Sequence, residues 1–323
     1  MGMFSKQERR TTRLLFVTDL HASEITFRKL MNAVEIYEAT LLIIGGDLAG
    51  KRVVPVINDA NGYTTSVSGE DLVVNESGLP DLMAKIKNLG QYPLVVSVEE
   101  YGELADDPDE VHRRFLDSAH AQIDDWTARL AAKFEPKGIP VYITGGNDDY
   151  MSIEGILDAA PWVVNAGEKV VELVPGVEMI STGFGNPTPW NCPRDVSEEE
   201  LLGIITTVAD KLAHPESAVF NLHVPPFGSG LDQGPLLDTS VTPPRPIVGE
   251  TAPVGSTAVR EVIERYKPLV GLHGHIHESR GIQKVGRTTC INPGSEYTEG
   301  LLRSAVVDLG KKGELLNAQL LVA

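Results

Sequence analysis

Seven residues of this chain carry the side-chain types of a metal site, and they recur in an ordered pattern. Asp19-Leu20-His21 lies near the amino end and His275-Ile276-His277 near the carboxyl end, while Asp47, Asn147 and His223 each follow an apolar run between them. Carboxylate, amide oxygen and imidazole donors without thiolate suit divalent Mn, Fe, Co, Ni or Zn, and the missing cysteines argue against a structural zinc knuckle. Asp47 has two carboxylate oxygens and could bind both members of an ion pair. Two cations ~4 Å apart would clamp a phosphoryl oxygen and lower the pKa of a bridging water toward neutrality, supplying a hydroxide nucleophile and charge stabilisation together. Charge balance agrees with occupancy. Without cations, Asp19, Asp47, Asp148 and Asp149 would repel a phosphate, whereas two divalent ions more than offset two ligand carboxylates and one hydroxide.

Such a constellation needs elements that bring distant segments to one place. Leu14 to Val17 precede Asp19, Leu41 to Ile44 precede Gly45-Gly46-Asp47, and Val141 to Thr144 precede Gly145-Gly146-Asn147. Ala218 to Leu222 precede His223, and Leu269 to Leu272 precede the final histidines. Short apolar runs bounded by glycine and polar residues read as buried strands. Residues i and i+2 of an extended strand end share a face, which predicts that Asp19 pairs with His21 and His275 with His277. Five strands then deliver ligands at their carboxyl ends, the edge where α/β sheets bind ligands. By the same alternation His273 shares the face of His275 and His277, and it is expected to pack deeper beneath the site.

With those residues in order, the chain resembles the calcineurin-like metallophosphoesterases, whose blocks run D-x-H, G-D, G-N-H-[DE], H and G-H-x-H. Here they stand as Asp19-Leu20-His21, Gly46-Asp47, Gly146-Asn147-Asp148-Asp149, His223 and Gly274-His275-Ile276-His277. The resemblance implies a four-layer α/β/β/α sandwich, two central sheets flanked by helices. It also implies that Asp19, His21, Asp47 and His277 hold one metal, and Asp47, Asn147, His223 and His275 the other. Asn292-Pro293-Gly294-Ser295 is similar to the turn that follows the last histidine strand in the family. One position departs. The family usually has a histidine after the asparagine, which contacts phosphate and helps protonate the leaving group; this chain has Asp148. An ionised aspartate cannot donate a proton, and only a raised pKa would make it an acid. Family members without that histidine are often phosphodiesterases. Asp148 is therefore a candidate substrate contact or acid, against the alternative of a carboxylate bonded to its own turn or orienting a ligand histidine.

The overall expectation is a dinuclear metal-dependent phosphohydrolase, a phosphodiesterase using a metal-bridging hydroxide, with Asp47 and Asp148 as its catalytic candidates. A phosphomonoesterase and a non-catalytic metal-binding scaffold of the same fold are the alternatives. The partner is a small phosphate ester.

Other chemistries are excluded. Gly45 to Lys51 begins like a phosphate-binding P-loop, but Arg52 replaces the required Ser or Thr and Val53-Val54-Pro55-Val56 is a poor helix start. No G-x-S-x-G elbow is present, and Cys192 and Cys290 have no activating neighbour in sequence. His112, His120 and His214 read as surface or packing residues. The net charge of -17 disfavours long nucleic acid as a partner. With 42% hydrophobic residues the 323-residue chain can build a large core, and no apolar stretch reaches membrane-spanning length. The absence of a signal region and two cysteines without metal spacing predict a cytoplasmic protein. Oligomeric state is not legible.

Ligands from residue 19 to residue 277 predict a single domain over 11–323. Residues 52–57 and 63–74 flank the turn signal Asn58 to Gly62 and predict an inserted β-hairpin within 51–78. Helices are predicted from Leu79 to Leu89, from Asp109 to Phe134, after a Ser197-Glu200 capping box, and from Ser256 or Thr257 to Tyr266. Val170 to Val174 and Glu178 to Thr182 predict two more strands. Two loops border the expected site, Gly185 to Pro193 with Trp190, and the Pro- and Gly-rich 224–254, expected as a structureless lid or substrate loop whose only cation is Arg245.

Overall fold

The computed structural model describes residues 11–238, 240–242, 244–311 and 313–323. The first of its two large sheets contains β1 (Thr11–Val17), β2 (Leu41–Ile44), β7 (Val141–Ile143), β8 (Val163–Asn165), β17 (Arg303–Gly310) and β18 (Leu315–Val322). Their order is β18-β17-β1-β2-β7-β8. The second contains β9 (Val170–Val174), β10 (Val177–Thr182), β11 (Val219–Leu222), β14 (Val270–Leu272), β15 (Gly281–Val285) and β16 (Thr288–Asn292), ordered β15-β16-β14-β11-β10-β9. The strands that precede the candidate ligands, β1, β2 and β7, pair in parallel within one sheet, and β11 and β14 pair in parallel at the centre of the other.

Alternation along the strands builds the layers. Leu14, Phe16, Leu41 and Ile43 point inward and meet Met179, Val219, Val270 and Leu272 of the opposite sheet. The intervening Leu15, Val17, Leu42 and Ile44 point outward, against α1 (Glu24–Ile36), α4 (Pro108–Phe134) and α5 (Glu154–Ala159). There Phe27 stacks on Trp126 with ring centroids 4.1 Å apart. On the far side Phe220 and Leu222 cover α6 (Glu198–Ala209) and α7 (Thr257–Tyr266). Strands apolar on both faces are thus buried on both faces, giving helix, sheet, sheet and helix in succession. Each fully buried Leu, Ile or Phe contributes about 1.5–3 kcal/mol, so this double core sets a stiff frame for the strand ends.

The helices follow their end signals. Asp107 accepts the Glu110 amide at the start of α4, Ser197 accepts the Glu200 amide at the start of α6, and Ser256 accepts the Val259 amide at the start of α7.

Between β2 and β7 lies a smaller sheet, which differs from the two-stranded hairpin predicted there. It contains β3 (Val53–Asp59), β4 (Gly62–Val67), β5 (Glu70–Val74) and β6 (Tyr92–Ser97), in the order β5-β4-β3-β6. The stretch 63–74 is broken by Ser68 and Gly69, both at positive φ, the backbone sense that suits a tight hairpin turn. β6 runs parallel to β3 and escaped sequence reading because it contains Pro93, which an edge strand tolerates. Val54, Val56 and Val67 pack on Leu82 and Ile86 of α2 (Leu79–Asn88), and α3 (Val98–Ala105) follows behind a capping box of Ser97 and Glu100.

The segment 224–254 is also not structureless. It holds β12 (Gln233–Asp238) and β13 (Arg245–Pro253), paired antiparallel with Gly234 opposite Ala252 and Leu237 opposite Pro246. Its prolines and glycines masked the strand pattern, and the pairing register shifts between Pro235 and Leu237. Among the described residues no helix is long and apolar enough to cross a membrane.

Candidate metal centre

All seven predicted residues converge beyond the carboxyl ends of β1, β2, β7, β11 and β14. Asp19, His21, Asp47 and His277 offer ligand atoms within 4.8 Å of one another, and so do Asp47, His223 and His275. Asp47 belongs to both groups. Asn147 joins the second, its Oδ1 2.9 Å from Nδ1 of His275. Asp19, His21, Asp47, Asn147 and His223 are buried, whereas His275 and His277 are partly open.

The reason for convergence differs from the predicted strand alternation. β1 stops at Val17 and β14 at Leu272, so neither the Asp-x-His nor the His-x-His pair lies on a strand. Asp19, His21, Ala22, Asp47 and His275 instead adopt left-handed backbone, with φ of 54°, 41°, 55°, 51° and 64°. Each chain turns sharply as it leaves its sheet and throws the side chain back over the edge. The loops lock together through backbone bonds, Asp19 N–H to Gly46 O at 3.0 Å and His21 N–H to Asp47 O at 2.9 Å. Two glycines permit the approach. A Cβ at Gly146 would collide with Asp47, and one at Gly274 with the Asp19 carboxylate.

A second ring of groups aims the first. His223 Nδ1 lies 3.0 Å from the Gly45 carbonyl oxygen and His21 Nδ1 3.3 Å from that of Ala49, leaving Nε2 of each ring directed into the site. Asp195 accepts the Asn147 amide at 3.0 Å, which turns the amide oxygen toward His275. Asn292 donates to the carbonyls of Gly274 (3.2 Å) and Ile276 (3.0 Å), and Ser295 Oγ donates to the Asp19 carbonyl at 2.7 Å. The Asn292–Ser295 turn therefore clasps the last histidine loop to the first aspartate.

Asp149 ties two ligand loops together, accepting amides from Leu48 (3.0 Å), Ala49 (2.8 Å) and Gly146 (2.8 Å). Burial and the nearby Asp47 charge push its carboxyl up to about 6 against those three donors. Arg194 is fully buried beneath the same turn. Its Nε donates to the Asp149 carbonyl at 2.7 Å, and its Nη2 pairs with Glu154 at 2.7 Å.

The electrostatics match a cation site. Burial pushes His21 and His275 down to about 4, so both are neutral donors at neutral pH. Burial also opposes charge on His223, yet the Asp47 and Asp19 carboxylates reverse it and raise the ring to about 10. Asp19 falls to about 2, because its bond to His277 and the His277 and His223 charges outweigh its burial. Buried carboxylates thus lean on imidazolium for compensation, a task divalent ions perform with greater charge.

The residues fit such ions on geometry as well. Nε2 of His223 is buried in the cluster with no hydrogen bond assigned to it, and Asp47 Oδ1 stands 3.3 Å away. Nε2 of His21 and Nε2 of His277 face each other at 3.2 Å, where only one can donate, whereas a cation would use both lone pairs. The donor set contains oxygen and nitrogen only, as borderline divalent metals prefer.

Asp148 does not join either ligand group. Its amide donates to Asp47 Oδ1 at 3.1 Å, while its carboxylate pairs with Lys51 Nζ at 2.9 Å. Lys51 is half-exposed, and the Asp148 and Asp47 charges raise its ammonium further despite burial. Sequence reading met Lys51 only in the rejected P-loop and missed its role here, as it missed Asp195, Arg194 and Tyr297, whose ring lies 4.7 Å from that of His21. The flagged loop Gly185 to Pro193 ended two residues short of Asp195. His273 is fully buried, its Nδ1 2.7 Å from the Leu222 carbonyl oxygen, and it offers nothing to the cluster. Arg245 is exposed and does not line the cavity above the site.

Paired six-stranded sheets between helices, with these blocks just beyond the strand ends, match the architecture expected from the resemblance to calcineurin-like metallophosphoesterases. No protein-family profile matches the chain. An uncharacterised protein of Methanocaldococcus jannaschii is 28% identical over 128 residues, which are 39% of this chain and 52% of that protein. The match thus spans about half the length of that relative. A crystal structure of TT1561 from Thermus thermophilus superimposes with a TM-score of 0.53 at 11% identity, covering 96% of this chain and 98% of that one. A further crystal structure reaches a TM-score of 0.57 at 17% identity, covering 96% and 98%. At these identities the likeness is one of fold.

Proposed function

We propose that the chain is a phosphoesterase dependent on two divalent ions, with small phosphodiesters as its preferred substrates. The observation that carries this reading is the place of the buried Asp47 in two ligand groups that border one cavity. Asp19, His21, Asp47 and His277 would hold one ion, and Asp47, Asn147, His223 and His275 the other. When bound, ions of the Mn, Fe, Zn, Ni or Co class supply Lewis acidity toward a phosphoryl oxygen and acidify a water. Hydrolysis adds the water oxygen to phosphorus, breaks the P–O bond to the leaving group, and returns a proton to the departing oxygen or to solvent.

The chain's own residues then have separate tasks. Asp195 keeps the Asn147 oxygen facing inward, and the carbonyls of Gly45 and Ala49 hold two rings in one tautomer. Asp148 stands where the family histidine would help the leaving group, and its carboxylate is engaged with Lys51. That pairing supports a preference for esters whose leaving groups depart without help, and it holds an ammonium where a non-bridging phosphate oxygen needs a contact. Replacing Lys51 with alanine is expected to lower kcat/KM for an activated diester about tenfold, a modest effect because the pair is half-exposed. An unchanged kcat/KM would remove Lys51 from the site's chemistry.

We place residues 11–323 in a single domain, with 224–254 as the substrate loop. The net charge of -17 supports a small substrate over a long polyanion, and the free Cys192 and Cys290 support a reducing, cytoplasmic setting. The test is metal content measured together with hydrolysis of bis(p-nitrophenyl) phosphate and p-nitrophenyl phosphate, after stripping and reloading with manganese. Two ions per chain and faster diester turnover are expected. Faster monoester turnover would reverse the substrate preference, and two bound ions without turnover of either ester would make the chain a metal-binding scaffold.

A further inference from the structure

The cavity over the metal ligands has a volume of about 1220 Å³. Pockets for drug-sized ligands run to roughly 300–1000 Å³, and a phosphoryl group with two ions would fill only a corner of this one. Asp47, Asn147, His275 and His277 are among the residues that line it. Most of the remaining wall is apolar and comes from separate parts of the chain. Trp190 stands on the loop that leads to Asp195, Phe227 follows β11, Leu236 belongs to β12, and Val254 follows β13. Phe115 of α4 and Tyr150, just past the Asn147 turn, contribute two more rings.

These walls are open to solvent. Trp190 is 61% exposed, Phe227 41%, Val254 38% and Leu236 37%. Large apolar side chains gathered around one hollow and left in water are costly unless something covers them. They also sit in fixed relation to the ligand groups. Asp195, which orients Asn147, accepts the Thr188 and Cys192 amides at 2.9 and 3.0 Å, so the loop bearing Trp190 is fastened to the metal centre itself. The β12–β13 hairpin is anchored at its base, where Asp232 accepts the Gly228 amide at 2.7 Å and Gln233 donates to Ser279 at 3.0 Å.

Resting on the phosphoesterase reading above, we infer that the substrate is a phosphoester bearing a large apolar substituent. Its phosphoryl group lies at the Asp47 end, and the substituent lies against Trp190, Phe227, Leu236 and Val254. An alkyl or acyl chain and a fused aryl ring share this chemistry, and burial of either removes apolar surface from water on both partners.

Three p-nitrophenyl phosphodiesters with methyl, octyl or 2-naphthyl as the second ester group test this, because they share one leaving group and differ only in apolar bulk. In the manganese-loaded enzyme, kcat/KM for the octyl or the naphthyl ester should exceed that for the methyl ester by roughly 30-fold or more, from the transfer of several methylene-sized groups. An octyl advantage assigns a chain, and a naphthyl advantage assigns a ring. The Trp190→Ala, Leu236→Ser double variant should remove most of that advantage while shifting the methyl ester by less than about threefold. Equal rates for all three esters, or an equal loss across them in the variant, would overturn the inference. Calorimetric binding of octylphosphonate and methylphosphonate gives a reading independent of turnover. If no ester is hydrolysed, the phosphoesterase reading fails, yet tighter octylphosphonate binding that weakens in the double variant would still uphold the apolar site. Equal binding of the two phosphonates would reject it.

Discussion

Replacing Asp47 with asparagine is expected to lower kcat/KM for an activated phosphodiester by about a thousandfold or more and to reduce bound metal from two ions to one or none. Asp47 is the one residue shared by both ligand groups, with Oδ1 3.3 Å from His223 Nε2 and Oδ2 3.5 Å from His21 Nε2. Asparagine preserves its size, keeps one oxygen for the Asp148 amide, and tolerates the left-handed backbone at φ 51°, where alanine would add strain. The substitution therefore isolates the lost charge and the lost bridging oxygen from any change in folding. Elemental analysis and thermal unfolding on the same preparation separate the two causes. A variant that keeps both ions and full turnover would end the proposal that Asp47 bridges.

The second large effect concerns stability. Arg194→Met should destabilise the chain by about 3 kcal/mol, because a fully buried cation is removed while its partners remain. The Glu154 carboxylate would lose its 2.7 Å ion pair, and the Asp149 and Tyr150 carbonyls would lose their donors at 2.7 and 3.4 Å. At this chain length that corresponds to a fall in Tm of about 4–5 °C. Methionine keeps the apolar stem of the side chain, so most of the loss reflects the missing guanidinium rather than an emptied stem. Because the Arg194 amide also donates to the Asn147 carbonyl at 3.1 Å, weaker metal retention should accompany the lower Tm. Arg194→Lys should recover part of both, since it restores charge without the planar fork. A Tm within about 1 °C of the parent chain would show that the buried guanidinium is replaceable.

The two residues illustrate what the amino-acid order discloses. Asp47 was legible because ligand chemistry is written in residue type, and because each ligand follows an apolar run that can only be a buried strand. Arg194 was not. Its partners lie 45 residues away at Asp149 and 40 residues away at Glu154, and nothing local marks an arginine for burial. Asp195 orients Asn147 from 48 residues away, with the same result. The pairing of Lys51 with Asp148 likewise depends on the closeness of two loops that separate sheet strands hold together. Strand alternation led to residues that the structure does bring together, but by the wrong route: the turns that aim them begin after the strands end, and His275 and His277 fall in different candidate groups. Strands β12 and β13 were hidden for another reason: prolines and glycines carry the hairpin, and its side chains alternate against no core.

Those turns have a consequence for anyone wishing to harden this protein. Asp19, His21, Ala22, Asp47 and His275 all hold the mirror-image backbone that side-chain-bearing residues resist, at about 1–2 kcal/mol apiece. Four of the five belong to the candidate ligand groups and cannot be exchanged for glycine without losing that side chain, so under the proposed function the tension is inseparable from the site. Robustness and reactivity compete for the same few peptide units. Selection for heat tolerance alone should accumulate changes at Ala22 and in the outer layers, and leave the other four positions as they are.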